Sequence, residues 1–345
     1  MKVSLHDRHI ITIGTSAGGV RALKTIIGQL PQDFKAAICI VQHLSGEAAS
    51  NLPVILAKAA RLPVDFAKDR EKIELGRIYL APPDFHLIVK SDCVRVIRGP
   101  RENRMRPAID PLFRSAAVVY KSYATGVVLT GMLDDGTAGL EAIKACGGMT
   151  IVQDPADAAY SSMPESAIAN VEIDRIAPLA GIAKILVERV GQTPAVVKEV
   201  PTDLLLEVPI TQNAITKPET MAKIGKPVAH SCPSCGGPLW QIGRDSSLRY
   251  RCHVGHAFSD RTLIEEQSEA TEKALWIALR TLEERSRLLK NMSARYAENG
   301  AASLAKVHQE RAQEAAEHAV SIRNLIRQLR TIAEFSEGQP ESQAS

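Results

Sequence analysis

Short apolar runs alternate with helical patterns through the first half of the chain. The apolar runs predict strands at 9–14, 36–42, 77–81, 86–90, 93–98, 125–130 and 149–153. Helical patterns lie mostly between them, at 20–30, 48–60, 110–120, 137–146 and 164–169. Buried strands that alternate with helices are typical of a doubly wound, mainly parallel α/β sheet with helices on both faces. We therefore predict an α/β fold for this half.

The stretch 77–98 departs from that alternation, because its strand-like runs are separated by short turns rather than by helices. Strands joined by short turns pair in antiparallel fashion. We therefore predict a hairpin here that adds an antiparallel edge to the sheet.

The chain divides into segments of different composition. The α/β pattern covers 1–190, and a stretch rich in Pro and Thr, 191–228, predicts a linker. A compact module with Cys and His follows at 229–258, and a strongly helical region follows at 259–336. The polar segment 337–345 predicts a disordered tail.

The helical region contains two long amphipathic patterns, separated by Asn299 and Gly300. Their apolar residues keep a spacing of three or four: Leu275, Ala278, Leu282, Leu289, Met292 and Tyr296, then Leu304, Ala315, Ile322, Leu325, Leu329 and Ile332. Each helix of about 35 residues is roughly 50 Å long. We predict a long antiparallel helical hairpin of the coiled-coil type, which forms a homodimer or binds a partner.

Composition narrows the range of functions. The chain has 345 residues, 45% of them hydrophobic, and a formal net charge of +3. Such a charge gives no reason to expect nucleic acid or an anionic membrane as a partner. No apolar run approaches the roughly 18 to 20 residues of a membrane span, and the charged N-terminus is unlike a signal peptide. We therefore expect a cytoplasmic protein without membrane insertion.

Three of the predicted strands are each followed by a residue type that hydrolases use. The sequence GTSAG at 14–18 fits G-x-S-x-G, the strand–turn–helix motif that exposes a nucleophilic serine, here Ser16. His43 and Asp135 each follow another strand. The carboxyl ends of parallel strands meet at one edge of the sheet. The three residues therefore predict a relay in which His43 accepts the serine proton and Asp135 orients the imidazole.

Each of these signals has a simpler explanation when taken alone. A glycine-rich turn between strand and helix is as often a phosphate-binding loop, although the Lys-Ser/Thr pair of a P-loop is missing. A lone loop histidine is commonly a solvated side chain, and Asp-Gly commonly forms a turn. The chain order Ser, His, Asp also differs from the Ser, Asp, His order of α/β-hydrolases.

Three of the six cysteines crowd into the Cys/His module. Cys232 and Cys235 form a C-x2-C pair, and Cys252 with His256 forms a C-x3-H pair. Two such pairs fit a tetrahedral structural Zn²⁺ site in a zinc ribbon, which leaves no open position for catalysis. His256 is preferred to His253 as the ligand, because the side chains of consecutive residues tend to point apart. The alternative is a set of reduced thiols without metal.

Six blocks of the first half occur in a recognisable order. They are ITIGTSAGGVRAL, VQHLS, IYLAPPDFHL, NRMRPAIDPLFRSAA, VVLTGMLDDGTAGL and SSMPESAI, spread over about 10–190. Together they resemble the catalytic domain of the chemotaxis protein-glutamate methylesterases, the CheB family. The resemblance implies hydrolysis of glutamate methyl esters on methyl-accepting chemoreceptors, with deamidation of glutamines in many members, through an acyl-enzyme and without a catalytic cofactor. It also implies chemoreceptors as partners, with a cognate receptor methyltransferase as a further candidate.

The resemblance assigns roles to particular residues. Ser16 becomes the nucleophile, His43 the base and Asp135 the orienting carboxylate, while Asp134 stands where the family varies. The amide of Met132 would contribute to the oxyanion hole, and the amide of Ala17 is the natural second donor.

Arg106, in the fourth block, has two interpretations of equal weight. It would line the site and attract acidic receptor segments, or it would be a solvated loop charge.

Well-known members of the family carry a receiver domain before the esterase. Here the resemblance begins close to Met1, so we expect activity that is constitutive or that is controlled by the C-terminal segments or by another protein. Two other functions compete with the esterase. One is a non-catalytic adaptor that binds signalling partners through the Cys/His module and the hairpin, and the other is a nucleotide-binding enzyme. The presence of all three relay residues favours the esterase.

Overall fold

The computed structural model describes residues 8–44, 50–194, 198–213, 216–243 and 247–337. It divides into two compact units, Met1–Ile264 and Glu265–Ser345. The predicted tail lies, apart from Glu337, outside the described residues. Part of the predicted helix 48–60 lies outside them as well. Among the described residues, no helix is long and apolar enough to cross a membrane.

The first unit alternates strands and helices as the apolar runs predict. Its strands are β1 Ile10–Thr15, β2 Ala37–Gln42, β3 Val64–Phe66, β4 Ile78–Leu80, β5 His86–Val89, β6 Val94–Ile97, β7 Ala124–Val128, β8 Met149–Gln153, β9 Arg175–Ala177, β10 Gly225–Ser231, β11 Pro238–Ile242, β12 Arg249–Cys252 and β13 Ala257–Ser259. Its helices are α1 Gly19–Gln29, α2 Leu52–Ala57, α3 Ile109–Tyr120, α4 Thr137–Ala145, α5 Ser162–Asn170, α6 Leu179–Val190, α7 Thr202–Asn213 and α8 Pro218–Ile224.

The main sheet has seven strands in the order β3-β4-β2-β1-β7-β8-β9, and each pairing is parallel. The chain first builds outward from β1 to one edge and then returns as β7 on the other side of β1. Helices α1, α2 and α6 pack on one face, and α3, α4 and α5 pack on the other. This confirms the predicted doubly wound α/β fold. A ligand crevice is expected beside β1, where the strand order reverses.

The predicted antiparallel edge is wrong. β4 lies inside the sheet, parallel to both β2 and β3. β5 and β6 form the predicted hairpin, but as a separate two-stranded sheet. The reason lies directly after β4, where Pro82 and Pro83 lack the amides that a further pairing needs. Asp84 then takes a left-handed φ of 64° and turns the chain out of the sheet.

The segment predicted as an irregular linker contains two helices, α7 and α8. α7 includes Pro209, which hides it from sequence patterns. Its Leu204 packs in the core of the catalytic half, and its Ile210 packs against the next sheet. Tertiary packing on both sides therefore stabilises a helix that local preference opposes. The boundaries at 190 and 228 stay predictions.

The Cys/His module is a four-stranded antiparallel sheet in the order β10-β11-β12-β13. β11 and β12 form the hairpin between the two cysteine pairs, with Leu239 opposite Cys252. Its apolar core is small and includes Leu239, Phe258 and Leu263. A second small cluster joins Trp240 and Ile242 of β11 to Ile210 of α7 and Met221 of α8, so the apolar cores on which the module packs are both small.

The second unit consists of most of α9, Asp260–Glu298, and of α10, Ala302–Glu337. The two helices run antiparallel: the Ser286 hydroxyl donates to the Ala312 carbonyl at 2.8 Å, and the Ser293 hydroxyl donates to the Ala305 carbonyl at 2.7 Å.

The inner face of α10 differs from the predicted one. Alanines supply most of it, and Leu304, Leu325 and Leu329 are exposed. Small side chains allow two long helices to approach closely, so the larger leucines lie outside the interface between α9 and α10.

Candidate active site

The carboxyl ends of β1 and β2 bring two of the predicted residues together. Thr15 lies beside Gln42 in the parallel register, so Ser16 and His43 follow directly on neighbouring strands. The Gln42 side-chain amide donates to the Ser16 carbonyl at 2.8 Å and to the His43 carbonyl at 3.0 Å. Neighbouring strands lie about 4.8 Å apart. Ser16 and His43 therefore start from adjacent backbone positions that the Gln42 side chain bridges.

The loop after β7 closes around the turn that carries the serine. The Ser16 amide donates to the Thr130 carbonyl at 3.1 Å, and the Thr130 hydroxyl donates to the Ala17 carbonyl at 2.9 Å. Gly18 has a φ of 77°, which other residues rarely adopt. A Cβ on Gly131 would lie 2.9 Å from the Cβ of Ser16. Both glycines are needed for the sharp turn that leaves Ser16 half-buried rather than covered.

The imidazole of His43 is bound to Asp135. His43 Nε2 lies 2.8 Å from Asp135 Oδ2, and the two side chains are only 6% and 3% exposed. The same carboxylate accepts from the amide of Ile109 at 2.7 Å and from the Asn103 side chain at 3.0 Å. Burial opposes ionisation of Asp135, but the hydrogen bonds from His43, Ile109 and Asn103 outweigh it and lower its pKa. The carboxylate is therefore held ionised in one orientation.

The third contact of the relay is not formed in this structure. Nδ1 of His43 is buried and has no hydrogen-bond partner among the described residues. The Ser16 hydroxyl makes no hydrogen bond to a described residue either. In free enzymes the bond between nucleophile and base is often long and tightens only with substrate. Of the predicted relay, the structure therefore forms the His43–Asp135 pair, and Ser16 follows β1, the strand adjacent to the one that His43 follows.

Two backbone amides are available where the resemblance places the oxyanion hole. The amides of Ala17 and Met132 donate no hydrogen bond to any residue that the structure describes. Met132 lies on the loop after β7, next to Leu133, whose φ of 64° is left-handed. Met132 is 57% exposed. Both amides are free to donate to a bound oxygen.

The guanidinium of Arg106 is bound by Asp84 and Gly99. Its guanidinium donates to Asp84 Oδ1 at 2.8 and 2.6 Å and to the Gly99 carbonyl at 2.8 Å. These two arginine bonds, together with Arg98, also lower the pKa of Asp84. The structure brings Arg106 together with neither Ser16 nor His43 through a hydrogen bond.

Two polar residues of the site were not found from the sequence, Asn103 and Asp110. The Asn103 side-chain amide donates to Asp110 Oδ2 and to Asp135 Oδ1, both at 3.0 Å. Asp110 also accepts from the amides of Gly136 and Gly139. Burial and then the charge of Asp135 raise the pKa of Asp110. Both residues belong to the block NRMRPAIDPLF. That block is the only signal in the sequence from which their place in the site could have been predicted.

The predicted metal ligands of the Cys/His module converge. The ligand atoms of Cys232, Cys235, Cys252 and His256 all lie within 4.8 Å of one another. The Cys235 and Cys252 sulfurs are 3.7 Å apart, and His256 Nδ1 lies 3.7 Å from Cys232 Sγ and 3.5 Å from Cys252 Sγ. The cysteines are not oxidised to disulfides. His253 lies outside this group, so the four side chains form a cluster that could hold a metal ion.

A buried charge network attaches the module to the catalytic half. Arg251 of β12 is fully buried and binds Glu102 at 2.8 Å and Glu207 of α7 at 3.1 Å. Arg249 binds Glu207 at 2.6 Å, and Arg114 of α3 binds Glu102. Burial alone would raise the pKa of Glu102, but Arg114 and Arg251 bring it down to about 2. These ion pairs therefore join the module to the catalytic half.

A cavity of about 500 Å³ lies where the module meets the catalytic half. Asn103 and Asp134 line it from the catalytic side, and Ser247, Arg249 and Asp260 line it from the module side. The cavity thus adjoins the loop that carries Asp135.

Comparisons with known proteins agree with this geometry. The family model described as CheB methylesterase matches residues 11–186. A protein of Leptospira interrogans named putative protein-glutamate methylesterase/protein-glutamine glutaminase is 40% identical over 178 residues, which cover 51% of this chain and 92% of that protein. A protein-glutamate methylesterase/protein-glutamine glutaminase of Trichodesmium erythraeum is 38% identical over 187 residues, 53% of each chain. The chain therefore spans about half the length of this second relative.

A solved structure is also similar. The crystal structure of the Thermotoga maritima CheB methylesterase catalytic domain matches with a TM-score of 0.51 and 36% identity. The match covers 52% of this chain and 98% of that domain. The family match ends at residue 186, before the Cys/His module and the helical hairpin.

Proposed function

This chain belongs to the CheB methylesterase family, and on that premise we propose that it hydrolyses glutamate methyl esters of methyl-accepting chemoreceptors. We assign this activity to a catalytic domain at 1–190 with Ser16 as nucleophile, His43 as base and Asp135 as orienting carboxylate. Deamidation of receptor glutamines by the same residues is part of the proposal, because relatives carry both activities in their names.

One observation supports the relay more than any other. Asp135 accepts a hydrogen bond from His43 Nε2 at 2.8 Å, while Nδ1 of the same ring is buried without a partner among the described residues. A carboxylate that binds one ring nitrogen fixes the tautomer and leaves the other nitrogen basic. Nδ1 is therefore the proposed base, and Ser16, which follows the neighbouring strand, is the hydroxyl that we propose it deprotonates.

The proposed reaction has two halves. Ser16 Oγ attacks the ester carbonyl while His43 Nδ1 takes the hydroxyl proton, and the amides of Ala17 and Met132 bind the oxygen that becomes negative. His43 then gives the proton to the departing methoxy oxygen as the carbon–oxygen bond of the ester breaks, so that methanol leaves and the acyl group stays on Ser16. A water molecule, deprotonated by His43, releases the glutamate carboxylate and restores Ser16. With a glutamine substrate the leaving group is ammonia, and the second half is the same.

A methanol-release assay tests this proposal. Full-length protein incubated with methylated receptor should release methanol, and Ser16→Ala should lower the rate by at least about 10³-fold, since only binding and oxyanion contacts remain. Ser91→Ala, which changes an exposed serine between β5 and β6, is the matched control and should keep the full rate. Equal methanol release by Ser16→Ala and wild type would reject the assignment.

We further propose that the Cys/His cluster holds a structural Zn²⁺. Zn–S bonds of about 2.3 Å and Zn–N bonds of about 2.1 Å in a tetrahedron give S–S edges of about 3.8 Å and S–N edges of about 3.6 Å. Three of the six separations between ligand atoms, at 3.7, 3.7 and 3.5 Å, match these edges, and all six are within 4.8 Å. Cys232, Cys235, Cys252 and His256 would supply all four ligands, so the metal would stabilise the ribbon rather than react.

The helical hairpin is the proposed site of homodimerisation or of binding to a cognate receptor methyltransferase. Large apolar side chains remain exposed on α9 and α10, among them Trp276, Ile277, Leu288 and Leu325. Exposed apolar residues of this size are typical of helices that bind another helix. A monomeric mass in sedimentation would contradict self-association.

A further inference from the structure

We infer that Asn103 is a positioning residue through which the Cys/His module holds Asp135, so that loss of the module's docking slows hydrolysis. The inference rests on the proposed role of Asp135 as the orienting carboxylate. It assigns to the module an effect on catalysis in addition to a structural role.

On the catalytic side, Asn103 lies between two carboxylates. One side-chain amide group donates to Asp110 and to Asp135, each at 3.0 Å. Asn103 is only 6% exposed, so water does not readily replace it as donor. Because Asp135 also binds His43, the orientation of the imidazole depends on a carboxylate that Asn103 holds.

On the module side, the same residue is bound to β13. The Asn103 side-chain oxygen accepts from the Ser259 amide at 3.2 Å, and the Asn103 backbone amide donates to the Ala257 carbonyl at 2.8 Å. Ala257 directly follows the cluster residue His256, whose carbonyl accepts from the Cys252 amide at 3.0 Å. Every polar group of Asn103 but its own carbonyl is thus engaged either by the module or by the two carboxylates.

The loop that carries Asn103 has an unfavourable backbone conformation. Asn103 and Arg104 are consecutive non-glycine residues with φ values of 48° and 67°. Such left-handed conformations persist only where surrounding contacts enforce them. The preceding residue, Glu102, is bound by Arg251 of the module at 2.8 Å. The docked module therefore supplies the contacts that keep the loop, and with it the Asn103 amide, in place.

Two substitutions and one treatment test separately the hydrogen bonds of Asn103 and the contribution of the module. Asn103→Leu keeps the size of the side chain but removes its donor and its acceptor. Asn103→Asp keeps an acceptor for Ser259 but loses the donor for the carboxylates. Extraction of the metal from the wild-type chain perturbs the module without any substitution.

We expect both variants to lower kcat by about 10- to 100-fold, the effect of one lost hydrogen bond to a charged group, while KM changes by less than about twofold. Metal extraction from wild type should lower kcat by a similar factor. In Asn103→Leu, extraction should have little further effect, because two perturbations of one connection are not additive. Asn170→Leu, which changes a half-buried asparagine bonded to Ser166 of its own helix, should keep the wild-type rate.

A second measurement is independent of activity. The proton on His43 Nε2 that is shared with Asp135 can be observed by NMR in protein with ¹⁵N-labelled histidine. We expect its signal to move in Asn103→Leu and after metal extraction, but not in Asn170→Leu. Metal content and circular dichroism of each variant show whether the chain is folded and loaded.

The outcomes are distinguishable from those of the proposed function. If wild type releases no methanol, the proposed function fails, and the His43 signal alone decides the present inference. If extraction leaves both kcat and the His43 signal of wild type unchanged, the inference is wrong, whatever the variants do. It is also wrong if Asn103→Leu loses as much activity on extraction as wild type does.

Discussion

The relay and the Cys/His cluster lie in the same compact unit, but they are held together in different ways. Ser16, His43 and Asp135 follow strands of a sheet that is buried between two large apolar layers. The cluster lies on a four-stranded sheet with a small core around Leu239 and Phe258. We therefore expect packing to position the proposed relay before any ligand binds, whereas the proposed zinc would keep the four cluster side chains together.

This difference shows where each region is vulnerable. We expect a change of one side chain of the proposed relay to remove its chemistry while the sheet stays folded. We expect the module to lose its fold when one cluster ligand changes, and the catalytic half to be affected through the contacts that join the two, among them those at Glu102, Asn103 and Glu207.

Among the changes that test this comparison, removal of a metal ligand is expected to have the largest effect on stability. Cys252→Ser should abolish zinc binding and unfold the module, since metal binding contributes about 10 to 16 kcal/mol to the folding of small zinc peptides. Hydrogen exchange measured by mass spectrometry should show lost protection in β10 to β13 and retained protection in β1, β2 and β7. His253→Ala, in the same turn but outside the cluster, should retain both zinc and protection. Protection of β11 and β12 in a zinc-free Cys252→Ser protein would show that the module does not depend on metal.

The next largest effect is expected when the buried ion network between the module and the catalytic half is broken. Arg251→Met leaves Glu102 and Glu207 buried with one partner fewer, and breaking a buried pair costs about 3 to 5 kcal/mol. Urea unfolding of the full chain should show that loss of stability. Arg323→Met breaks an exposed pair with Glu283 in the hairpin and should cost less than about 1 kcal/mol. Equal losses in the two variants would mean that the network does not connect the regions.

Acid should weaken the same connection in a defined pH range. Glu102 has a pKa of about 2 in the folded protein, against an ordinary value of 4.5. A depressed pKa contributes stability that is present above pH 4.5 and lost as the pH falls from 4.5 towards 2, about 3 kcal/mol in total. The free energy of unfolding should therefore fall across this range, and Glu102→Gln should reduce the slope. An unchanged slope in Glu102→Gln would assign the acid sensitivity to other carboxyls.

The sequence predicted the catalytic fold where local pattern and burial agree. The runs of β1, β2 and β7 are buried throughout and mostly apolar because both faces of the sheet are covered, and each has a distinctive residue type at its end. Sequence patterns failed for short or exposed elements. β9 has two exposed residues of three, and α7 contains Pro209.

The site was predictable only as far as single residues carry chemical signatures. Ser16 lies in a motif, and the four cluster residues have ligand spacing. Asn103 has no such signature, because its role comes from contacts with Asp135 and Ser259, 32 and 156 positions away. Likewise Ser286 lies in the hairpin seam because its hydroxyl reaches the Ala312 carbonyl, a contact that apolar periodicity does not predict.

The most direct test of the central claim is covalent labelling of the serine. A fluorophosphonate reacts with a serine only when a neighbouring base activates it. Peptide mapping of the labelled full-length protein should find one adduct, on Ser16, and His43→Ala should prevent its formation while the protein stays folded. An adduct on another serine, or equal labelling of Ser16 in His43→Ala, would contradict the relay.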